Sequence, residues 1–112
     1  MAKASFKLSI YPNKVALLTF VGTLDGMIIN KAINDCIDKE CVNIIVNLDS
    51  VMYTNSMFLS SFIGLKTTVE KKSGCIVFIK PPKNILIILT LIGFKDYFMF
   101  YEYKQEALKA LI

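Results

Sequence analysis

A search of the chain for residues that could do covalent chemistry yields little to work with. The sequence holds no histidine, which removes the commonest general base and leaves no Ser/His/Asp or Cys/His arrangement to build. The three cysteines, Cys36, Cys41 and Cys75, form no CxxC pair and have no histidine beside them to complete a metal site. They read as buried or half-buried thiols in a reducing compartment. The nine carboxylates are dispersed, with no pair spaced as in a glycosidase. No Walker or GxGxxG pattern is present, so no nucleotide site and no cofactor are expected. The residue with most chemical promise is Ser56, at the start of an expected helix. A serine there sits among unpaired backbone N–H groups at the positive end of the helix dipole. A phosphate added to it would be held by those amides. The plainer role for Ser56, or for Asn55 before it, is capping the helix.

The elements that must carry these residues can be read from periodicity. Ser5 to Ile10 alternates as a half-buried strand does, and Tyr11-Pro12-Asn13 is a turn signal. Val15 to Val21 follows, so the first two strands are expected to form an antiparallel hairpin. Gly22 to Gly26 reads as a loop in which Asp25 is placed to cap a helix over Met27 to Asp38. That helix should bury Ile28, Ala32 and Cys36. Val42 to Leu48 is a short apolar run suited to a central strand, and Asp49 to Asn55 reads as a loop. The second helix is expected over Ser56 to Lys72, with Phe58, Leu59, Phe62, Leu65 and Val69 on its core face. Gly74 precedes a strand over Cys75 to Ile79. Pro81 and Pro82 end that strand and lead into a helix over Lys83 to Ile92, closed by Gly93. A strand over Tyr97 to Tyr101 and a helix over Lys104 to Leu111 complete the order β-β-α-β-α-β-α-β-α. Strands alternating with helices call for a mostly parallel sheet of the α/β class, and residues 1–112 read as one domain.

From Val42 onward the text resembles the STAS domain, the fold of bacterial anti-anti-sigma factors, also called anti-sigma factor antagonists. The resemblance rests on VNIIVNLDSV, the MYTNS loop, the helix opening SMFLSSFIGL and the Ile92-Gly93-Phe94 segment. It extends to Lys104-Gln105-Glu106-Ala107-Leu108 and, upstream, to Gly22-Thr23-Leu24-Asp25. It implies a STAS-like α/β fold: a mixed, mostly parallel sheet with an N-terminal antiparallel hairpin and about four helices. In that family a cognate serine kinase, itself the anti-sigma factor, phosphorylates the residue after an Asp in the motif Asp-Ser-Ser/Thr-Gly-Leu. The matching stretch is Asn55-Ser56-Met57-Phe58-Leu59. Ser56 takes the phosphoacceptor position and Leu59 that of the core leucine, while Asn55, Met57 and Phe58 replace Asp, a small hydroxyl residue and Gly. The resemblance therefore implies a cytoplasmic, non-enzymatic regulator that captures an anti-sigma factor/serine kinase and is released by phosphorylation at Ser56. The alternative it leaves open is a STAS-like scaffold or accessory subunit of a signalling or lipid-transport complex, without phosphorylation.

Two surfaces stand out as docking faces. Opposite the core stripe of the second helix lie Met57, Ser60, Ser61, Gly64, Thr67 and Thr68, small and uncharged where a solvated face usually carries Lys and Glu. Together with Asp25 and Asn55 they form the expected partner-binding set. The third helix is apolar nearly all round, and Leu86 and Ile87 are expected to contribute to a homodimer or a hydrophobic partner contact. The net charge of +4 comes from lysine alone, scattered mostly singly, and with no arginine to read bases nucleic acid is not expected as a partner. The most apolar stretch, Ile85 to Ile92, is short of the roughly 20 residues of a spanning helix, so no direct membrane insertion is expected.

Overall fold

A computed structural model describes residues 4–53 and 58–112, with the side chain of Tyr53 left out. The elements are β1 (Ser5–Tyr11), β2 (Val15–Thr23), α1 (Gly26–Asp38), β3 (Asn43–Tyr53), α2 (Phe58–Lys71), β4 (Cys75–Ile79), α3 (Lys83–Leu91), β5 (Met99–Tyr101) and α4 (Lys104–Leu111). Short 3-10 turns lie at Pro12–Lys14 and Lys95–Tyr97. The sheet runs in the order β1-β2-β3-β4-β5, with β1 antiparallel to β2 and every later pairing parallel. The expected α/β architecture, a mostly parallel sheet with an N-terminal hairpin and, among the described residues, four helices, is what the chain adopts.

Chain order and sheet order coincide, so the parallel crossovers all advance the same way. Right-handed crossovers then place α1, α2 and α3 together on one face. The core divides accordingly. Alternate residues of the central strands (Ala16, Leu18 and Phe20; Ile44 and Val46; Ile76 and Phe78) pack under those three helices. Their neighbours Val15, Leu17, Ile45, Val77 and Ile79 pack instead with Ala107 of α4 on the other face. Strands covered on both faces must be apolar at consecutive positions, which is why these segments read as runs. A chain of rings crosses the larger core: Phe20 meets Phe62 at 6.3 Å, Phe62 meets Phe78 at 5.0 Å, and Phe78 meets Phe98 at 5.1 Å. Such edge-on pairs add to the burial of the rings themselves.

Three helices close in the same way. Glu40 (φ 60°), Ser73 (φ 62°) and Gly93 (φ 81°) turn left-handed after α1, α2 and α3. The next amide then reaches back five residues in each case: Cys41 N to Cys36 O at 2.9 Å, Gly74 N to Val69 O at 2.7 Å, and Phe94 N to Leu89 O at 2.8 Å. These are Schellman closures, which satisfy carbonyls the helix cannot. Only one of the three uses glycine at the left-handed position.

Several expectations need correction. Asp49 to Tyr53 is strand, not loop. β2 also runs on past Val21 and pairs with it (Val21 with Ser50, Gly22 with Val51, Thr23 with Tyr53), and register irregularities hide the alternation. Ile28 is only half-buried, because the inward stripe of α1 is Ile29, Ala32, Ile33 and Cys36. Leu59 is likewise half-buried beside the core face of Phe58, Phe62, Leu65 and Val69. Tyr97 belongs to a 3-10 turn, its amide donating to Phe94 O at 3.1 Å, and β5 begins only at Met99.

Candidate functional site

Of the expected partner-binding residues that the structure describes, Asp25 stands at the start of α1, and Ser60, Ser61, Gly64 and Thr68 lie along α2. Asp25 caps α1: its Oδ1 accepts from Ile28 N at 2.9 Å, satisfying one of the helix's unpaired amides. Gly26 then enters the helix beside α2, and a Cβ placed on it would lie 3.7 Å from Ser61 Oγ. α1 and α2 run side by side from there. Between them opens a surface groove of about 360 Å³, lined by Asn30, Ile33, Ser60, Ser61, Gly64 and Thr68, with Leu65 at its floor.

The sequence places Ser60, Ser61, Gly64 and Thr68 on an outward face, and the structure refines that. They form one wall of this groove, and Ser61 and Thr68 are half-buried because α1 flanks them. The hydroxyls of Thr67 and Thr68 donate back to Ile63 O (3.0 Å) and Gly64 O (2.9 Å). With those hydroxyls occupied, their methyl groups are left to meet whatever approaches. At Gly64 a Cβ would meet nothing within 4 Å, so the groove is open at its middle. Among the described residues no ionisable side chain lines it. The charges on these helices lie elsewhere: Lys66 pairs with Glu70 at 2.6 Å and sits 5.0 Å over the Tyr97 ring, and Lys31 lies 3.9 Å from Asp35.

Asn55, Ser56 and Met57 lie outside the described residues. Two exposed methionines escape sequence reasoning. Met27, in the first turn of α1, is 85% exposed, and Met52, next to last in β3, is 72% exposed. Methionine so open to solvent suits an adaptable contact surface. Met27 could have been found as an apolar residue off the inward stripe of its helix. Met52 could not, because it reads as part of a loop. Leu86, expected at an oligomer contact, is half-buried, whereas Ile87 is exposed.

The thiols are poorly suited to nucleophilic work. Burial pushes the Cys36 thiol up to about 12, with Cys41 and Asp35 adding to the effect. Burial also raises Cys41 and Cys75. All three are free thiols, protonated at neutral pH. Among the described residues no group of three or more Cys, Asp or Glu side chains could hold a metal ion.

The sequence profile of the STAS domain matches residues 12–107, from the first turn into the start of α4. The chain belongs to the STAS domain family. Among curated proteins no sequence match reaches significance. Solved structures place the likeness in three dimensions. A Thermotoga maritima protein assigned as an anti-sigma factor antagonist superposes with a TM-score of 0.84 at 18% identity, covering 95% of this chain and 93% of its own. An anti-sigma factor antagonist from Mycobacterium paratuberculosis gives 0.83 at 16% identity, covering 97% and 94%. The Bacillus cell fate determinant SpoIIAA in its phosphorylated form gives 0.73 at 17% identity, covering 95% and 98%. At these identities the STAS fold is shared. In this STAS domain the segment that carries Ser56 lies, in sequence, between the end of β3 at Tyr53 and the start of α2 at Phe58.

Proposed function

We propose that this STAS domain is a cytoplasmic, non-enzymatic regulator of the anti-sigma factor antagonist type. It captures an anti-sigma factor that is also a serine kinase, and phosphorylation at Ser56 releases it. The observation that carries this reading is the uncharged α1–α2 groove, with exposed Met27 and Met52 at the same end of the sheet as Asp25. Such a surface admits close approach and adapts to a partner's shape. Ser56 stands two residues before Phe58, the first residue of α2. A phosphate there would bring roughly two negative charges to a segment only two residues, in sequence, before the helix whose described residues line the groove without charge. A partner that must desolvate those charges without a counter-ion is disfavoured, and a local modification becomes a switch for association. The likeness to SpoIIAA in its phosphorylated form agrees with this reading.

A second reading, a STAS scaffold in a larger complex without phosphorylation, draws support from one residue. Phe58 stands where the family motif has Gly, and it is buried against Phe62 at 6.0 Å. Its role in the core explains its presence without any kinase.

Intact-mass analysis of the protein from its native cells, with the modified residue mapped by fragmentation, separates the two. A phosphate on Ser56, together with a Ser56→Asp variant that no longer retains a co-purifying kinase, is the expected result. A chain that stays unmodified across growth conditions inside a stable complex would favour the scaffold.

A further inference from the structure

α3 presents an apolar surface that its own fold does not cover. Ile85 and Leu89 point into the core, while Ile87, Leu91 and Ile92 are 58%, 80% and 45% exposed. Thr90 is exposed beside them, its hydroxyl donating to Leu86 O at 2.8 Å within the helix. The charges around this strip are of one sign along the chain. From Lys71 to Lys95 the sequence has five lysines and no carboxylate. Lys80 and Lys83 stand at the start of α3 and Lys95 just past its end, all exposed, and none forms an ion pair among the described residues. Asp49 and Glu102 line a cleft together with Lys80 and Lys83, and Asp96 lines a separate cleft with Lys66 and Glu70.

We propose that the α3 face docks on the surface of an anionic phospholipid bilayer, with Ile87, Leu91 and Ile92 in the acyl boundary and Lys80, Lys83 and Lys95 at the headgroups. Apolar side chains rimmed by lysine are what an interfacial helix needs, and each lysine near an anionic surface strengthens binding by about fivefold. α3 lies on the membrane and does not cross it: among the described residues no helix is long and apolar enough to span. A second copy of this chain fits the strip less well. A two-fold axis would set the same lysines against one another, and three side chains fall short of the roughly 800 Å² per partner that a stable dimer buries.

The test is co-sedimentation with vesicles of phosphatidylcholine alone and of phosphatidylcholine with phosphatidylglycerol. Binding is expected to be at least tenfold tighter to the anionic vesicles and to weaken as salt is raised. Lys83→Gln and Lys95→Gln should each weaken it about fivefold, and Leu91→Ser at least tenfold, with the urea midpoint of each variant held near that of the parent chain. Equal binding to both vesicles, or none, would overturn the proposal. So would a dimer in sedimentation velocity that Leu91→Ser abolishes, which would assign the strip to a second copy. A protein ligand that binds the parent chain and not Leu91→Ser, while vesicles bind neither, would assign it to a protein partner instead.

Discussion

Gly26 and Ser61 bring the start of α1 against the second turn of α2: a Cβ on Gly26 would stand 3.7 Å from Ser61 Oγ, ordinary van der Waals distance. The two helices are thus close at one end, and the groove between them opens toward Gly64, where a Cβ would meet nothing. Gly64→Ala should therefore raise stability by about 0.5–1 kcal/mol, since glycine inside a helix costs that much and nothing opposes the methyl. Urea unfolding checks the value. Gly64→Tyr fills the groove without entering the core, so it should leave the fold intact while weakening capture of the partner kinase at least tenfold by pull-down or calorimetry. Full binding by a folded Gly64→Tyr chain would move the partner site elsewhere.

Gly74 has no such freedom. A Cβ there would come within 2.1 Å of the Val42 carbonyl oxygen, a backbone atom that cannot swing aside. The approach exists because α2 ends in a Schellman closure whose last residue leads straight into β4, with Cys75 N donating to Val42 O at 3.1 Å. Gly74→Ala must push β3 and β4 apart at their first pairing. A loss of about 3 kcal/mol or more is expected, at the upper end for single substitutions. A change under 1 kcal/mol in the urea midpoint analysis would show that the strands can slide.

The residue before it offers the opposite experiment. Ser73 holds φ at 62°, a conformation that costs a side chain roughly 1 kcal/mol and glycine nothing. Ser73→Gly should stabilise the chain by a few tenths to about 1 kcal/mol, the gain being reduced by the greater freedom glycine has when unfolded. The same substitution at Glu40 (φ 60°) should yield less, because Glu40 also pairs with Lys14 at 2.7 Å, an exposed bridge of modest value. The order of the two thermal midpoints is the measurement.

Where the sequence was legible, it was so for local reasons. β4 is bracketed by Gly74 and by Pro81-Pro82, and α4 by its periodicity, so both were read to the residue. β3 was not, because Asp49-Ser50 interrupts the apolar run. What keeps that segment in the sheet is pairing with β2, a long-range partner that no local pattern shows. The candidate site divides the same way. Asp25 was legible as a cap from its place before a helix, and the small residues of α2 from their spacing. That they form a groove wall depends on where α1 lies, and helical periodicity says only which side faces away from the sheet. Met52 was hidden for the same reason as the end of β3. Ser56 was legible as a serine at an expected helix start, and as a phosphoacceptor position only through family resemblance; it lies with Asn55 and Met57 outside the described residues.

The buried thiol at Cys36 sets an expectation for alkaline pH. Its folded value is raised by burial to about 12 from an ordinary 9.0, so the folded state favours the protonated form. A group raised in this way contributes its full stability below the unfolded value and loses it as pH climbs toward the folded value. In the window from 9 to about 12 the unfolded chain releases the proton and the folded chain keeps it. Linkage then gives a loss approaching about 1.4 kcal/mol per pH unit from this one thiol. Cys41 and Cys75 are raised as well and add losses of the same sign. Cys36→Ala removes the largest contribution, at the cost of packing in the fully buried end of α1. The variant should be less stable than the parent near neutrality, and the gap should narrow steadily above pH 9. Urea unfolding of both chains across that range measures it directly. A gap that stays constant from neutrality into the alkaline range would mean that Cys36 ionises as easily folded as unfolded, and that α1 opens at its end far more readily than its closure on Cys41 implies.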